Sequence, residues 1–393
     1  MFSRFYIVFL LIIGFSYAAT YEDILQQAFE NSPYLKSYEY KKKAYEGKIL
    51  SAKQTYNPEI DIEFGRLVSQ TESGFALTSF SISQQLRLWG EKDFAIKSAV
   101  LQKKAEEYFF QQQRNILAGQ IYQIFYEILF LDQQIKIRQK ELENLQKLYS
   151  FIKEKYELGD ALLIDVLRTE KDISLIQLEI QKLKSEKQAK ESYLFAIAGI
   201  NPVKIEGNLY QLNPLGSISV QDIPLLNYYK LLIKSYDEEI KRQKALAKPQ
   251  ISVGLVAEED AEELGKYEFG IGISSSIPVF YRNQGEIISA VNRKKQLIAK
   301  EKQYKLQYQA QIESITNQYK VLTDQINKLD KTAIDKISQS LQLALSGYKE
   351  GTITYLELSS LRKQYYQTLL YKAQLYYQLH KLYGEFIKIG GVK

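Results

Sequence analysis

Apolar positions along this chain follow two periods, which alternate in a fixed order that occurs twice. Strict alternation comes first. Ile60, Ile62 and Phe64 stand between Glu59, Asp61, Glu63 and Gly65, and Phe80, Ile82, Leu86 and Leu88 between Ser79, Ser81, Ser83, Gln85 and Arg87. It returns with Ile251, Val253 and Leu255 against Ser252 and Gly254, then with Phe269, Ile271, Ile273, Ile277 and Val279 against Gly270, Gly272, Ser274 and Ser276. A period of two predicts strands with one apolar and one polar face, here over about 58–67, 77–89, 249–258 and 266–280. Gln84 and Ser275 break the apolar faces at matching places.

After each strand pair the period lengthens. Ile135, Leu142, Leu145, Tyr149, Ile152 and Tyr156 step by seven, three, four, three and four, the seam of a coiled coil, and Ile334, Ile337, Leu341, Ala344 and Tyr348 repeat it. Proline occurs only at 33, 58, 202, 214, 224, 249 and 278, so no breaker interrupts 59–201 or 279–393. Both stretches are rich in strong helix formers. One helix from Glu91 to Glu157 would measure about 100 Å at 1.5 Å per residue. A turn at Gly159, and at Gly351 in the second copy, sends the chain back as a second helix. This predicts long antiparallel hairpins over 91–199 and 284–389.

The order is a duplication. Pro33 and Pro58 recur as Pro224 and Pro249, and Ser98-Ala99 as Ser289-Ala290, each 191 residues later. Tyr156, Gly159 and Gly199 recur 192 residues later as Tyr348, Gly351 and Gly391, so one inserted residue separates two collinear copies. A period this long is a doubled half-protein rather than a solenoid. The organisation it predicts is a leader at 1–18, a first repeat at 19–199, a linker at 200–222 and a second repeat at 223–391.

Composition changes the picture at a few points. Arg4, the apolar run 5–13 and the small residues ending Ser16-Tyr17-Ala18 read as a cleaved export signal. That run falls short of the ~20 apolar residues that span a bilayer, and no later stretch reaches this length, so a membrane role would need strands. Cysteine is absent, which removes disulfides, thiolate metal sites, cysteine nucleophiles and a lipidated cysteine behind the signal. Lys plus Arg exceed Asp plus Glu by only 52 to 46 and form no stripe, which argues against nucleic acid as a partner. The 31 tyrosines suit membrane–water interfaces, and Trp89 at the end of the second strand marks such a belt.

The chemistry of enzymes is missing. His380 is the only histidine, leaving no histidine-based zinc site and no histidine-containing triad. There is no phosphate-binding loop, dinucleotide fingerprint or nucleophile elbow. The expectation is no enzyme, no cofactor and no resident metal. The acidic run Glu258, Glu259, Asp260, Glu262 and Glu263 lacks the spaced ligands and turn glycine of a calcium loop and reads as solvated.

A strand face bearing Asp61, Glu63 and Arg87 cannot enter a dry core unpaired. Either the sheet belongs to a soluble protein with its apolar face inward, or the faces are inverted. In the second case all the alternating apolar residues named above face lipid and the polar ones a watery lumen. The export signal and the very long helices favour the barrel. Four strands cannot close one, and open edges are not tolerated in lipid, so copies must pool their strands. Two copies give a barrel filled by side chains; three give twelve strands and room for water.

The opening YEDILQQAFENSPYLKSYEYKKKAYEGKILSAKQTYNPEI, the segments YELGDALLIDVL and YKEGTITYLEL, and the doubled layout resemble the TolC-like outer-membrane efflux family, the exit ducts of Gram-negative tripartite pumps. The likeness covers about 21–391. The strand-to-helix join SSSIPVFYRNQGEIISA is most similar to the CzcC-type heavy-metal branch, which carries a similar Pro-Leu-Phe-x-Arg-Asn-Gln-Gly run. The resemblance implies a mostly α fold with a β-barrel part: a homotrimer whose twelve-stranded barrel sits in outer-membrane lipid and continues into an α-helical periplasmic tunnel. Residues 66–77 and 257–266 would be extracellular loops, and 200–222 would lie near the tunnel's waist.

The resemblance further implies a passive duct, recruited by a periplasmic adaptor and an inner-membrane pump, for heavy-metal cations or drugs. Family members dock the adaptor and constrict the closed entrance at the hairpin tips. Carried over by position, the docking residues are Leu158, Gly159, Asp160, Glu350, Gly351 and Thr352, and the constriction is formed by Tyr156, Asp165, Tyr348 and Glu357. Some members carry Gly-Thr-Arg followed by two aspartates spaced by three. Here Gly351-Thr352-Ile353 precedes Glu357 and Ser360, and the first copy has Ala161, Asp165 and Arg168. The arginine of the usual lock is missing, while Asp165 and Glu357 repeated threefold would form a cation-attracting ring. Two other readings stay open: the outer component of a type I protein secretion system, and a soluble exported coiled-coil scaffold released without detergent.

Overall fold

The computed structural model describes residues 18–68, 73–259 and 265–390. Residues 1–17, all but the last of the expected export signal, lie outside the described residues, as do 69–72, 260–264 and 391–393. In chain order the elements are β1 (Ala18–Ala19), α1 (Tyr21–Asn31), α2 (Pro33–Lys53), β2 (Glu59–Val68), β3 (Ser73–Gln85), α3 (Glu91–Glu157), α4 (Leu163–Ala198) and β4 (Lys204–Ile205). After a 3-10 turn at Val220–Asp222 come α5 (Pro224–Leu246), β5 (Gln250–Glu259), β6 (Tyr267–Ser276), α6 (Gln284–Lys328), a π-helical stretch at Leu329–Ala333, α7 (Ile334–Glu350) and α8 (Tyr355–Ile389). The π stretch lies between Ala290, still at an offset of 191, and Tyr348, at 192, and a π turn takes up an additional residue within a helix. The described residues divide into two compact units, one within 1–36, 113–218 and 310–393, the other within 37–112 and 219–309.

The second unit carries an antiparallel sheet in the order β2-β3-β5-β6. Its register sets Ile62, Phe80, Ala257 and Phe269 in one row and Ile60, Ile82, Leu255 and Ile271 in the next. Among the described residues this apolar face is largely uncovered: Phe64 is 78% exposed, Phe269 84% and Ile271 76%. The opposite face carries the row Glu63, Ser79, Glu258 and Glu268, with Asp61 and Ser81 beside it. Ser81 and Ser79 hydroxyls donate to the Asp61 and Glu63 carboxylates at 3.4 and 3.2 Å.

The paired ladder is shorter than the alternation at its helix-proximal end. β3 stops at Gln85 and β6 at Ser276, so Leu86, Leu88, Ile277 and Val279 lie past the strands. The Leu86 N–H reaches back to the Ile251 carbonyl at 2.9 Å, and the Trp89 indole N–H to the Pro249 carbonyl at 2.8 Å. Two local causes end the strands. Trp89 and Gly90 both take positive φ, 61° and 76°, to turn the chain into α3, and Pro278 has no N–H to donate. The exception at Gln84 also has a cause, since its amide donates to the Tyr56 carbonyl at 2.8 Å ahead of β2.

Where strand becomes helix, Arg87 donates to the Ala52 and Gln54 carbonyls, both at 2.7 Å, closing the end of α2. Its guanidinium also pairs with buried Glu91, which accepts from Arg242 at 2.9 Å. In the second copy Asn283, at φ 57°, donates to the Gln243 carbonyl at 2.9 Å. Ala52 and Gln243 are 191 residues apart, so the same carbonyl is closed in both copies by different side chains.

The first unit is helical. Leu145, Ile176 and Ile180 join α3 to α4, and a cluster of Ile152, Val166, Ala344, Tyr348, Tyr355 and Leu358 gathers α3, α4, α7 and α8. Gly119 and Gly384 let α3 and α8 cross closely: a Cβ on Gly119 would meet Gly384 and Lys388, and one on Gly384 would meet Gln123. Two polar groups sit in the seams. His380, 1% exposed, stacks on Tyr126, accepts from the Tyr122 hydroxyl through Nδ1 at 2.9 Å and donates from Nε2 to the Leu209 carbonyl at 2.9 Å. Arg362 and Asp172, 5% and 6% exposed, pair at 2.8 Å between α8 and α4. Glu141 of α3 lies 3.9 Å from Arg362 and accepts from Arg138 at 2.7 Å, and Arg138 reaches Glu179 at 3.0 Å.

Both groups give expected outcomes. Burial lowers the His380 pKa from 6.5 to about 4, so between those values the unfolded chain binds the proton and the folded chain does not. The contribution is fully present above pH 6.5 and is lost as pH falls towards 4, about 3 kcal/mol in all. Denaturant midpoints should fall over that window in the wild type, and the fall should shrink in His380→Phe. Removing one partner of the buried pair strands the other, so Arg362→Leu should cost about 3–5 kcal/mol. Arg362→Leu with Asp172→Leu should recover part of this in a double-mutant cycle of thermal midpoints.

Candidate functional site

Two features hold the candidate functional residues: the hairpin tips of the helical unit and the faces of the sheet. At the first tip α3 ends at Glu157, and Gly159 at φ 84° lets the Asp160 N–H return to the Lys155 carbonyl at 2.8 Å. At the second, α7 ends on Gly351 at φ 76°, and the Thr352 N–H and hydroxyl both donate to the Gly347 carbonyl, at 2.8 and 3.0 Å. A Cβ on either glycine would meet nothing, so backbone conformation alone calls for glycine here. The tips touch through Lys155, whose ammonium donates to the Lys349 carbonyl at 3.1 Å.

The four residues expected at the entrance sit in unlike surroundings. Tyr348 is buried against Phe151 and Tyr355, while its counterpart Tyr156 is 40% exposed. Glu357 completes a capping box: its carboxylate accepts from the Thr354 N–H and hydroxyl at 2.8 and 2.9 Å, and its N–H donates back at 3.3 Å. Those bonds, the backbone one foremost, hold its exposed carboxyl below the usual range. Asp165 holds the same position in α4, but the N-cap there is Leu162, which has no side-chain acceptor. Its half-buried carboxyl is pushed up by desolvation and partly restored by Arg168, 3.7 Å away. Burial, and after it the Asp165 charge, push the Tyr348 hydroxyl up to about 12. Asp160, Asp165, Tyr348 and Gly351 share one cleft of about 440 Å³.

The docking candidates lie on an apolar surface. Leu158 is 72% exposed, and Leu162, Leu163, Ile164, Leu167 and Leu356 are exposed with it. Arg362 was not among the residues singled out from sequence, and Arg87, expected on the polar strand face, lies past the end of β3, where it pairs with Glu91. Asp172 does carry a readable signal, since it falls in the seam spacing of Val166, Thr169, Ile176 and Ile180.

Among the described residues no group of three or more histidines, aspartates and glutamates is placed to hold a metal ion. No described helix is long and apolar enough to cross a membrane. The family described as outer membrane efflux protein matches residues 24–200 and 221–383, most of both repeats. The cobalt-zinc-cadmium resistance protein CzcC of Cupriavidus metallidurans is 20% identical over 332 residues, 82% of this chain and 78% of that protein. The outer membrane protein VceC of Vibrio cholerae has a TM-score of 0.79 over 94% of this chain and 96% of its own, at 17% identity. CusC has a TM-score of 0.78 over 95% and 92%, at 18% identity. These two structures share the fold, a mostly helical chain that also carries strands. With a family match across both halves, the chain belongs to the outer membrane efflux protein family.

Proposed function

We propose that three copies of this chain form a passive exit duct in the outer membrane, joined in the periplasm by an adaptor and an inner-membrane pump. The observation that carries this reading is the inverted sheet. Its apolar face, from Phe64 to Ile273, is uncovered, and its other face is lined by Asp61, Glu63, Glu258 and Glu268. Lipid satisfies the first and a watery lumen the second. β2 and β6 are free edges, which lipid does not tolerate, so strands from further copies must close the barrel. Twelve strands leave a lumen wide enough for water, whereas eight are filled by side chains. Exposed leucines along α4, Leu167, Leu175 and Leu178, offer a helical contact between copies to match.

The exposed apolar tip around Leu158, Gly159, Asp160, Glu350, Gly351 and Thr352 is the proposed adaptor surface. Within the family, similarity to a cobalt-zinc-cadmium resistance protein favours metal cations as cargo. Carboxylates at the entrance, Asp165 and Glu357, suit a path that attracts cations without binding them tightly.

Two outcomes are expected. Protein extracted from outer membranes in detergent should have the native mass of three chains after correction for bound detergent; release without detergent would overturn the reading in favour of an exported scaffold. In planar bilayers, replacing Asp165 and Glu357 by alanine together should lower cation selectivity. Reversal potentials unchanged across a salt gradient would remove the carboxylate ring from the mechanism.

A further inference from the structure

We infer that the cleft between α3, α7 and α8 is a binding site for an aromatic carboxylate, a flat apolar body carrying one acid group. The inference stands apart from the duct reading and uses none of the residues placed at the tips.

The cleft lies within the helical unit and encloses about 360 Å³, at the small end of ligand pockets, ~300–1,000 Å³. Its walls are apolar, with Leu148 and Phe151 from α3, Leu341 and Leu345 from α7 and Leu358 from α8. Phe151 gives them a ring surface against which a flat aromatic body packs. The charged side chains that line the cleft have one sign. They are Lys147, Lys349 and Arg362, and no aspartate or glutamate lines it. This sets it apart from the tip cleft, which Asp160 and Asp165 line. Metal cations of the kind proposed as cargo find no ligand here, whereas an organic anion is attracted by every charge in the lining.

Arg362 adds an independent observation. It is 5% exposed, and its Nη2 donates to Asp172 at 2.8 Å. Its Nε and Nη1 are buried and have no acceptor. Glu141 stands 3.9 Å from Nη1, beyond hydrogen-bond reach, and accepts from Arg138 instead. A buried donor without an acceptor is destabilising, and a carboxylate has lone pairs to spare for it. Both nitrogens are covered by neighbouring side chains, so the acid group reaches them by parting these; the exposed Lys147 and Lys349 meet it first.

The charges are particular to the second copy. At the offset of 192, which holds at Tyr348 and at Gly391, Lys349 corresponds to Glu157 and Arg362 to Glu170. Either sign of charge solvates a helix surface, so solvation does not account for the exchange at Lys349. A cleft that takes an anion does.

Titration calorimetry on the full-length protein in lipid nanodiscs tests the site, with naphthoate as the probe and neutral naphthamide as its isostere. Naphthoate should bind saturably at one site per chain, and naphthamide at least about tenfold more weakly. Lys147→Glu with Lys349→Glu reverses two exposed charges, so the thermal midpoint should hold while affinity falls by about tenfold or more. Arg362→Leu with Asp172→Leu leaves no buried charge stranded and should also weaken binding. Leu345→Trp, which fills the cleft, should abolish it. Absence of saturable binding, equal binding of naphthamide, or an affinity that the lysine pair leaves unchanged would overturn the site. Octanoate has the same charge without the ring, and tighter binding of octanoate than of naphthoate would overturn the aromatic ligand.

Discussion

One constraint governs the rest of this chain: the sheet keeps its apolar residues on a face that the described residues leave largely uncovered. Uncovered Phe64, Phe269 and Ile271 are costly in water, at roughly 25 cal/mol for each Å² of apolar surface. Turning the sheet over would bury Asp61, Glu63 and Glu268 instead, at far greater cost. Only a surrounding that is apolar on one side and wet on the other suits both faces. The helices of the first unit have a core of their own. They pack on one another, through the seams of α3, α4, α7 and α8.

Period and parity made much of this readable in advance. The apolar face of each strand, the seam from Ile135 to Tyr156 and the glycine turns follow from spacing and backbone freedom alone. The strand ends did not, because they depend on single atoms: the missing N–H of Pro278 and the positive φ at Trp89 and Gly90. The buried pairs escaped for another reason. In a sequence with 25% charged residues, Arg362 and Asp172 look like surface charges until helices from distant segments meet around them. Thr354-x-x-Glu357 was a readable capping box, and its absence in the first copy, where Leu162 stands at the N-cap, sets Asp165 apart from Glu357.

Duplication explains why equivalent positions are not equivalent sites. The two copies close the same helix-end carbonyl with Arg87 in one case and Asn283 in the other, and they place one tyrosine in a core and its counterpart on a surface. Geometry is preserved where the backbone demands it, at Gly159 and Gly351. Chemistry has diverged where it does not, at Asp165 and Glu357. Glu357, exposed and with its carboxyl held down by the capping box, and Asp165, half-buried and with its carboxyl pushed up, give the two tips carboxylates of different basicity.

The π stretch at Leu329–Ala333 bears on how such a protein tolerates change in length. One residue added to a continuous α-helix turns everything beyond it by about 100°, which would swing Leu341, Ala344 and Tyr348 away from α8. Widening one turn confines the added residue to that turn, so the two halves of the gene can differ in length while both hairpins end at matching glycines. Helical phase, rather than residue count, is the quantity this architecture conserves.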